Sequence, residues 1–259
     1  MKRLIINADD FGFTRDVNAG IVHAHREGVL TSTTLMANGD AFDDAVRLAH
    51  ETPSLDIGCH LVLVQGQSLV TGKPFPQDPK GVLSALIRGE LDLYAELRAQ
   101  IAKIVAAGIK PSHLDSHKHT HIVPRVFRAV VRLAKEFNIP YVRLPLDRTP
   151  PFARVPCRLL DPAYRRVATR YGTRLTDHFL GFRLTGSLDA VSFRAALASL
   201  SDGTTEFMCH PGFLGPELHG AATRLKESRV RELEALTAPG IREFMAAESI
   251  RLVTFCRDN

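Results

Sequence analysis

The sequence lacks the features that mark several common classes of protein. Its four cysteines are widely spaced and form no C-x-x-C pair, which argues against a disulfide framework and against a structural zinc knuckle. It contains no apolar run long enough to cross a membrane, and Asp9 and Asp10 interrupt the N-terminal apolar stretch that a signal peptide would need. We therefore expect a cytoplasmic protein with no stable membrane insertion.

Nucleotide-binding signatures are also missing. No G-x-G-x-x-G follows the first apolar run and no G-K-[ST] loop occurs, which argues against a dinucleotide-binding fold and against a P-loop. The net charge is only +5, although arginines are concentrated between Arg143 and Arg183. That basic segment resembles no nucleic-acid module and few stacking aromatics accompany it, so we expect no nucleic-acid partner. It is interpreted either as a solvated helix face or as a contact surface for an anionic ligand.

Strand and helix patterns alternate along the 259 residues. Apolar runs predict seven buried parallel strands, near residues 3–8, 30–36, 56–62, 111–115, 140–144, 205–209 and 250–255. Helical patterns lie between most of these runs, at residues 16–28, 40–50, 91–107, 124–137, 188–200 and 225–248.

This alternation predicts an α/β fold. About seven β-α units favour a single-domain, distorted (β/α) barrel over residues 1–259, similar to a TIM barrel and built on about seven parallel strands. An open doubly wound sheet is the alternative. Two proline-rich segments, 65–81 and 145–177, predict loop insertions, because long irregular segments in compact domains commonly form lids or binding loops.

Polar groups stand where several of the predicted strands end. Asp9 and Asp10 close the first strand, His60 lies inside the third, and His210 follows the sixth, just before Pro-Gly. In parallel α/β folds the carboxyl ends of the strands carry ligands and catalytic groups. Taken singly, each residue has an ordinary alternative role, as a helix cap, a hydrogen-bonded core histidine or a loop residue.

The segment 111–121 adds an unusual density of histidine near the end of the fourth strand. Its histidines and its aspartate share one parity, so an extended chain would direct most of them to the same face. A carboxylate from one strand and histidines from two others form a mixed oxygen and nitrogen site for a divalent metal. The residues of that parity are His113, Asp115, His117, His119 and His121.

Five short motifs, spread over almost the whole chain, match one enzyme family in identity and order. They are Asn7-Ala-Asp-Asp-Phe-Gly12, Thr31-Ser-Thr-Thr34, Ile57-Gly-Cys-His-Leu-Val-Leu63, His113-Leu-Asp-Ser-His117 with His119 and His121, and Met208-Cys-His-Pro211. In these motifs the chain resembles the YdjC-like carbohydrate deacetylases, which include chitooligosaccharide deacetylases and a hopanoid-associated branch. The resemblance implies a distorted β/α barrel, one divalent metal ion (zinc or magnesium), a homodimer, and hydrolysis of an N-acetyl group on an amino sugar.

The resemblance also implies roles for individual residues. Asp10, His60 and His117 match the metal ligands of the family. Asp9 matches its general base, and His210 matches its general acid or oxyanion partner. Four more residues are candidates for orienting or substrate-binding roles, with a structural role left open for each: Asp115, His119, His121 and Arg143. Among these, Arg143 is a candidate to hold Asp9 ionised, and Asp115 to orient a histidine.

The expected activity is therefore metal-dependent removal of an acetyl group from an N-acetylated amino sugar, in an N-acetylglucosamine-containing oligosaccharide or glycoconjugate. Metal-activated water would attack, with Asp9 as base and His210 as acid. One alternative is a metal-dependent phosphoesterase or other amidohydrolase on the same barrel, since fold does not determine function. Another is a non-catalytic carbohydrate- or lipid-binding protein that holds a structural metal and binds through the basic segment 143–183.

Overall fold

Parallel strands form one continuous sheet at the centre of the molecule. A computed structural model describes residues 1–147 and 151–256 of the chain. Within them lie eight strands: β1 (Lys2–Phe11), β2 (Ser32–Leu35), β3 (Asp56–Leu61), β4 (His113–Ser116), β5 (Tyr141–Val142), β6 (His178–Leu180), β7 (Gly203–Cys209) and β8 (Ile250–Leu252).

Helices connect most of the consecutive strands. In the described ranges there are ten α-helices: α1 (Arg15–Arg26), α2 (Phe42–Glu51), α3 (Pro79–Arg88), α4 (Leu93–Ala106), α5 (Pro124–Glu136), α6 (Pro151–Tyr171), α7 (Ala190–Ala198), α8 (Pro216–Gly220), α9 (Glu227–Leu236) and α10 (Ile241–Ala247). None of the helices in the described part of the chain combines the length and the apolar character needed to span a membrane.

The sheet curls until its two outer strands approach each other. Its order is β5-β4-β3-β2-β1-β7-β6, all pairs are parallel, and β8 pairs with the start of β1. Backbone hydrogen bonds link the two ends of this order: the Val142 N–H donates to the Arg174 carbonyl at 3.0 Å, and the Arg174 N–H donates to the Pro140 carbonyl at 2.8 Å. The result is a distorted β/α barrel, which confirms the predicted fold class.

The alternation of side chains along β1 separates two layers of the protein. Leu4, Ile6 and Ala8 belong to the large apolar core, whereas Ile5 packs in a small separate cluster with Val253 and Phe255. Asn7 and Asp9, which share the parity of Ile5, are buried and contact each other at 3.1 Å. The barrel interior is therefore apolar near the start of β1 and polar near its end, where the candidate residues lie.

Most of the predicted elements are present, and the differences are local. The seven predicted strands correspond to β1–β5, β7 and β8, and the predicted helices to α1, α2, α4, α5, α7 and the pair α9–α10. The short strand β6 and the helices α3 and α8 were not predicted. The segment 65–81 is a loop as far as Asp78, after which α3 begins, with the Asp78 side chain accepting a hydrogen bond from the Gly81 N–H.

The predicted loop insertion at 145–177 is wrong over most of its length, because helix α6 fills it. The helix begins at Pro151, a position where a missing N–H costs no hydrogen bond. Its buried residues Asp161, Tyr164 and Ala168 recur at three- and four-residue spacing, which is the period of a helix packed on one face. The many prolines and arginines concealed that period. Residues 148–150 of the segment lie outside the described ranges.

Close packing of α1 against the segment that follows β7 predicts a sensitive position at Gly20. A Cβ atom there would lie 2.5 Å from Gly212 Cα and 2.8 Å from Phe213 N, which are backbone atoms that cannot rotate away. We expect Gly20→Ala to lower the free energy of unfolding by about 1–3 kcal/mol, the usual cost of overpacking. Urea denaturation followed by circular dichroism measures this change.

Gly220→Ala is the matched control, because a Cβ atom at this helical glycine would meet nothing within 4 Å. Its free energy of unfolding should stay within about 0.5 kcal/mol of the wild-type value. Equal losses in the two variants would contradict the assigned contact.

Candidate active site

The carboxyl ends of the strands meet around a cavity of about 640 Å³. β1 supplies Asp9 and Asp10, β3 supplies His60, and the segments after β4 and β7 supply further histidines. Six of the predicted site residues line this cavity: Asp9, Asp10, His60, His117, His119 and His210. Asp115 and Arg143 lie buried behind them, each in contact with one of the lining residues.

Three predicted metal ligands converge at one point. The Asp10 Oδ1 atom lies 3.1 Å from His117 Nδ1 and 3.4 Å from His60 Nε2. The two histidine nitrogens are 3.3 Å apart. This arrangement of one oxygen and two nitrogens is the donor set that the sequence predicted for a divalent metal.

The backbone of Asp10 explains how two neighbouring aspartates reach one site. On a regular strand their side chains would point to opposite faces. Asp10 adopts a left-handed conformation with φ of 70°, and the pairing of β1 with β2 shifts register between Ala8 and Phe11. Gly12, with φ of 94°, continues the turn. The irregularity brings the Asp10 side chain into the barrel mouth beside Asp9.

Arg143 is fully buried and joins three carboxylates from different strands. Its Nη1 and Nη2 atoms donate to Asp9 Oδ2 and Oδ1 at 2.8 and 2.7 Å. The Nη1 atom also lies 2.7 Å from Asp115 Oδ2, and the Nε atom donates to Glu206 Oε1 at 2.6 Å. Burial raises the pKa of Asp9, but Arg143 and then His60 outweigh that effect and hold the pKa below its ordinary value. Asp9 is therefore ionised at neutral pH.

Asp115 fixes the orientation of the His60 ring. The His60 Nδ1 atom lies 2.7 Å from Asp115 Oδ1, so its Nε2 atom is directed to Asp10 and His117. A carboxylate behind a histidine is the usual arrangement in metal sites, where it fixes the tautomer. Burial lowers the pKa of His60, but Asp115 and Asp10 outweigh it and raise the pKa to about 10. The ring thus lies where positive charge is strongly favoured.

Comparison with known proteins shows the family to which this chain belongs. A sequence model described as "YdjC-like protein" matches residues 3–247. The chain belongs to the YdjC-like family. It is 37% identical to the carbohydrate deacetylase of Brevibacillus brevis and 33% identical to that of Clostridium beijerinckii, in each case over 98% of both chains. Among solved structures it is similar to a proposed cellobiose-phosphate cleavage protein of Enterococcus faecalis V583, with a TM-score of 0.81, 27% identity and coverage of 98% and 97% of the two chains.

Helix α9 of this YdjC-like chain supplies two buried charged residues that sequence reasoning missed. Arg229 Nη2 donates to Asp10 Oδ2 at 2.5 Å. Burial raises the pKa of Asp10, but Arg229, followed by His117 and His60, outweighs it and holds the pKa well below its ordinary value. Glu232 Oε2 accepts the backbone N–H of His210 at 2.5 Å and lies 3.8 Å from His210 Nδ1.

A sequence signal for Arg229 and Glu232 existed. Together with Leu233 and Leu236 they occupy the buried face of α9 at the spacing i, i+3, i+4, i+7. Charged residues on the apolar face of a helix are rarely fully buried unless they are paired, so that position marks them as members of a site. The signal was hidden because several other charged residues surround them in the same helix.

The protonation of His210 follows from its surroundings. Burial lowers the pKa of His210 to about 4, although Asp9 and Asp10 act in the opposite direction. Burial likewise raises the pKa of Glu232 to about 7, although the hydrogen bond from the His210 backbone N–H and the charge of Arg229 both lower it. At neutral pH the imidazole is therefore uncharged, and the nearby carboxyl group is close to its midpoint.

The expected common face of the histidines after β4 is wrong. Residues 117–122 form a tight turn, because Lys118 and His119 take left-handed conformations with φ of 50° and 51°. His119 lines the cavity and packs against Phe182. His121 points into the protein, where its Nε2 atom lies 3.0 Å from the Arg143 carbonyl oxygen. His121 is thus in contact with the backbone that carries Arg143 rather than with the cavity.

The buried ion pair between Arg229 and Asp10 predicts a loss of stability when Arg229 is replaced. The measurement is made in chelator, so that no metal ion compensates the charge of Asp10. Arg229→Met would leave the Asp10 carboxylate without its guanidinium partner in a buried position. We expect the free energy of unfolding to fall by about 3–5 kcal/mol, the usual cost of breaking a buried ion pair from one side. Denaturant titration measures the change.

Arg231→Met serves as the control, because Arg231 is exposed on the same helix. Its effect should remain within about 0.5 kcal/mol. A loss at Arg229 no greater than that at Arg231 would show that Asp10 does not depend on the ion pair.

Proposed function

We propose that this YdjC-like protein is a metal-dependent hydrolase that removes the acetyl group from an N-acetylated amino sugar. The observation that carries the proposal is the convergence of Asp10, His60 and His117 beside an ionised Asp9 at the mouth of the barrel. The full-length similarity to proteins named carbohydrate deacetylase supports the sugar as the substrate class.

The ligand triad fits a divalent metal. Ligands about 2.1 Å from a metal lie about 3.4 Å apart in tetrahedral geometry and about 3.0 Å apart in octahedral geometry. The three separations between Asp10, His60 and His117 run from 3.1 to 3.4 Å. These residues would hold the ion. Zinc is the metal that we propose, because two nitrogen donors suit zinc better than magnesium.

When bound, the divalent ion lowers the pKa of a water molecule and polarises a carbonyl oxygen. Asp9, held ionised by Arg143, accepts the proton of the attacking water. The neutral His210 ring suits hydrogen bonding to the developing oxyanion through its N–H group. Proton delivery to the departing nitrogen then passes through the His210 ring, which gives a proton to the nitrogen and takes one at Nδ1 from the Glu232 carboxyl group, 3.8 Å away and with a pKa of about 7.

The cavity continues into a second one that accommodates more of the substrate. The neighbouring cavity has a volume of about 560 Å³ and shares Gln65, His117 and Ala222 with the first. His117 therefore lies at the junction of a cleft longer than one sugar. An N-acetylglucosamine-containing oligosaccharide or glycoconjugate fits such a cleft, with the acetamide group placed at the junction.

A two-metal phosphoesterase is less well supported. A second group of metal-type ligands exists at Asp9, His60 and Asp115. Two of its members, Asp9 and Asp115, are already bound by the Arg143 guanidinium, which occupies the position that a second cation would take. The homodimer and the cytoplasmic location expected from the sequence stay predictions.

Acetate release tests the proposed function directly. Purified protein is incubated with N-acetylglucosamine, short chitooligosaccharides and an N-acetylglucosamine-bearing glycolipid, after chelation and after re-addition of Zn²⁺ or Mg²⁺. We expect acetate from at least one oligomeric substrate, loss of activity in chelator and recovery with Zn²⁺. A metal-loaded protein that binds these sugars without releasing acetate would instead support the carbohydrate-binding alternative.

Asp9→Asn tests the assignment of the base. The amide cannot take a proton from water, whereas the three metal ligands are unchanged. We expect metal content by elemental analysis to match that of the wild type and kcat to fall by about 10²–10⁴-fold, the usual contribution of a general base. Asp43→Asn, at an exposed position of α2, is the control and should keep wild-type kcat. Wild-type turnover by Asp9→Asn would remove Asp9 from the mechanism.

A further inference from the structure

A chain of buried hydrogen bonds extends from Asp9 into the barrel. Asn7 Nδ2 donates to Asp9 Oδ1 at 3.1 Å. On its other side, Asn7 Oδ1 lies 3.0 Å from His113 Nε2, and His113 Nδ1 lies 2.8 Å from Ser112 Oγ. Ser112, Asn7 and His113 are each fully buried. Neither Asn7 nor His113 lines the cavity, and neither is a metal ligand in the site described above.

The direction of this chain follows from the bidentate contact of Asp9 with Arg143, whose Nη1 and Nη2 atoms donate to the two oxygens of the carboxylate. An ionised carboxylate only accepts hydrogen bonds, so Asn7 must present its NH₂ group to Asp9 and its carbonyl oxygen to His113. His113 must then carry its proton on Nε2. Burial lowers the pKa of His113 well below its ordinary value, and Arg143 acts in the same direction, so the ring is neutral and Nδ1 is an acceptor for the Ser112 hydroxyl. Every donor therefore points toward Asp9.

The His113 ring has a closely fitted position in the barrel. It stacks on Phe255 with ring centres 3.8 Å apart and an interplanar angle of 19°. Gly58 on the neighbouring strand leaves room for it, since a Cβ atom there would lie 2.5 Å from His113 Cε1. The ring cannot rotate without displacing the backbone of β3 or Phe255. This packing holds the His113 Nε2–H group toward Asn7 Oδ1.

The two oxygens of Asp9 are consequently unequal. Oδ1 accepts from Arg143 Nη2 and from Asn7 Nδ2, whereas Oδ2 accepts from Arg143 Nη1. With two donors, Oδ1 has little remaining capacity to take a proton from water. Oδ2 retains a free lone pair.

We propose that Asn7 and His113 are positioning residues of the deacetylation reaction, which fix the Asp9 carboxylate so that Oδ2 is the oxygen that takes the proton. This proposal rests on the proposed function for the reaction itself. Asn7 acts on Asp9 directly, and His113 acts through Asn7 by preventing its amide group from turning over. A turned amide would place its carbonyl oxygen against the carboxylate and repel it.

Kinetics of four variants test the proposal: Asn7→Leu, His113→Phe, the double variant and His113→Gln. Removing a hydrogen-bond partner that orients a catalytic group typically lowers activity about 10–100-fold. We expect Asn7→Leu and His113→Phe each to lower kcat to that extent, with KM and metal content unchanged. Because both act through one chain, the double variant should be no slower than the slower single variant. His113→Gln retains an N–H donor and should recover most of the lost kcat.

His25→Phe is the matched control, because it removes a histidine with two hydrogen bonds, both 2.8 Å, to the Leu30 carbonyl and the Ser54 hydroxyl. It should leave kcat unchanged. Wild-type kcat in both Asn7→Leu and His113→Phe, or losses that simply multiply in the double variant, would overturn the proposal. If Asn7→Leu does not fold, the contrast between His113→Phe and His113→Gln decides.

A measurement without substrate separates this inference from the proposed function. The ¹⁵N chemical shifts of the imidazole ring in Zn²⁺-loaded protein distinguish the two tautomers, with His113→Gln providing the assignment. We expect His113 to carry its proton on Nε2 across neutral pH. A proton on Nδ1 would reverse the chain and refute the positioning role, whether or not the wild type releases acetate. Absence of acetate with the Nε2–H tautomer present would count against the proposed function alone.

Discussion

The site depends on balancing negative charge that is buried at one end of a barrel. Five carboxyl groups lie there with almost no exposure to water, and the buried positive groups among the described residues are the guanidinium groups of Arg143 and Arg229, with His60 between them. An unpaired buried charge is costly, so each carboxylate needs a partner. Arg143 serves Asp9, Asp115 and Glu206, and burial still raises the pKa of Glu206 to about 7. The negative charge that these groups leave unbalanced favours a cation at the point where His60, His117 and Asp10 meet.

The positions of the site residues in the fold explain which of them could be predicted from the sequence. Asp9, Asp10 and His60 end or occupy apolar strands, and parallel strands bring their carboxyl ends together whatever the details of the loops. The position of His121 could not be predicted, because two left-handed residues after β4 reverse the chain. The alternation of side chains between two faces, which holds along a strand, ends at such a turn. Arg229 was missed for another reason: it comes from a helix distant in sequence, and its partner Asp10 could not be known before the fold.

The errors in the predicted fold arose where the sequence pattern of an element was masked or too short. Helix α6 was hidden because its prolines and arginines dominated the composition of the segment, whereas its spacing of buried residues is that of an ordinary amphipathic helix. The three-residue strand β6 offered too short a pattern to recognise. Both elements lie on the side where β5 and the segment before β6 complete the barrel. The strands β1 to β4 on the other side carry four of the five motifs, and each was predicted to within three residues at either end.

The left-handed backbone at Asp10 also limits how this position can change over evolutionary time. Apart from glycine, the residues that adopt that conformation most readily are asparagine, aspartate and histidine. A lineage that abandons the metal would therefore reach asparagine or glycine at this position at little conformational cost, whereas glutamate or cysteine, which could still bind a metal, would strain the main chain. The backbone thus restricts the residues that this position accepts at little cost, and asparagine, which keeps the conformation without the carboxylate, is the substitution that we expect in a relative that has lost the metal.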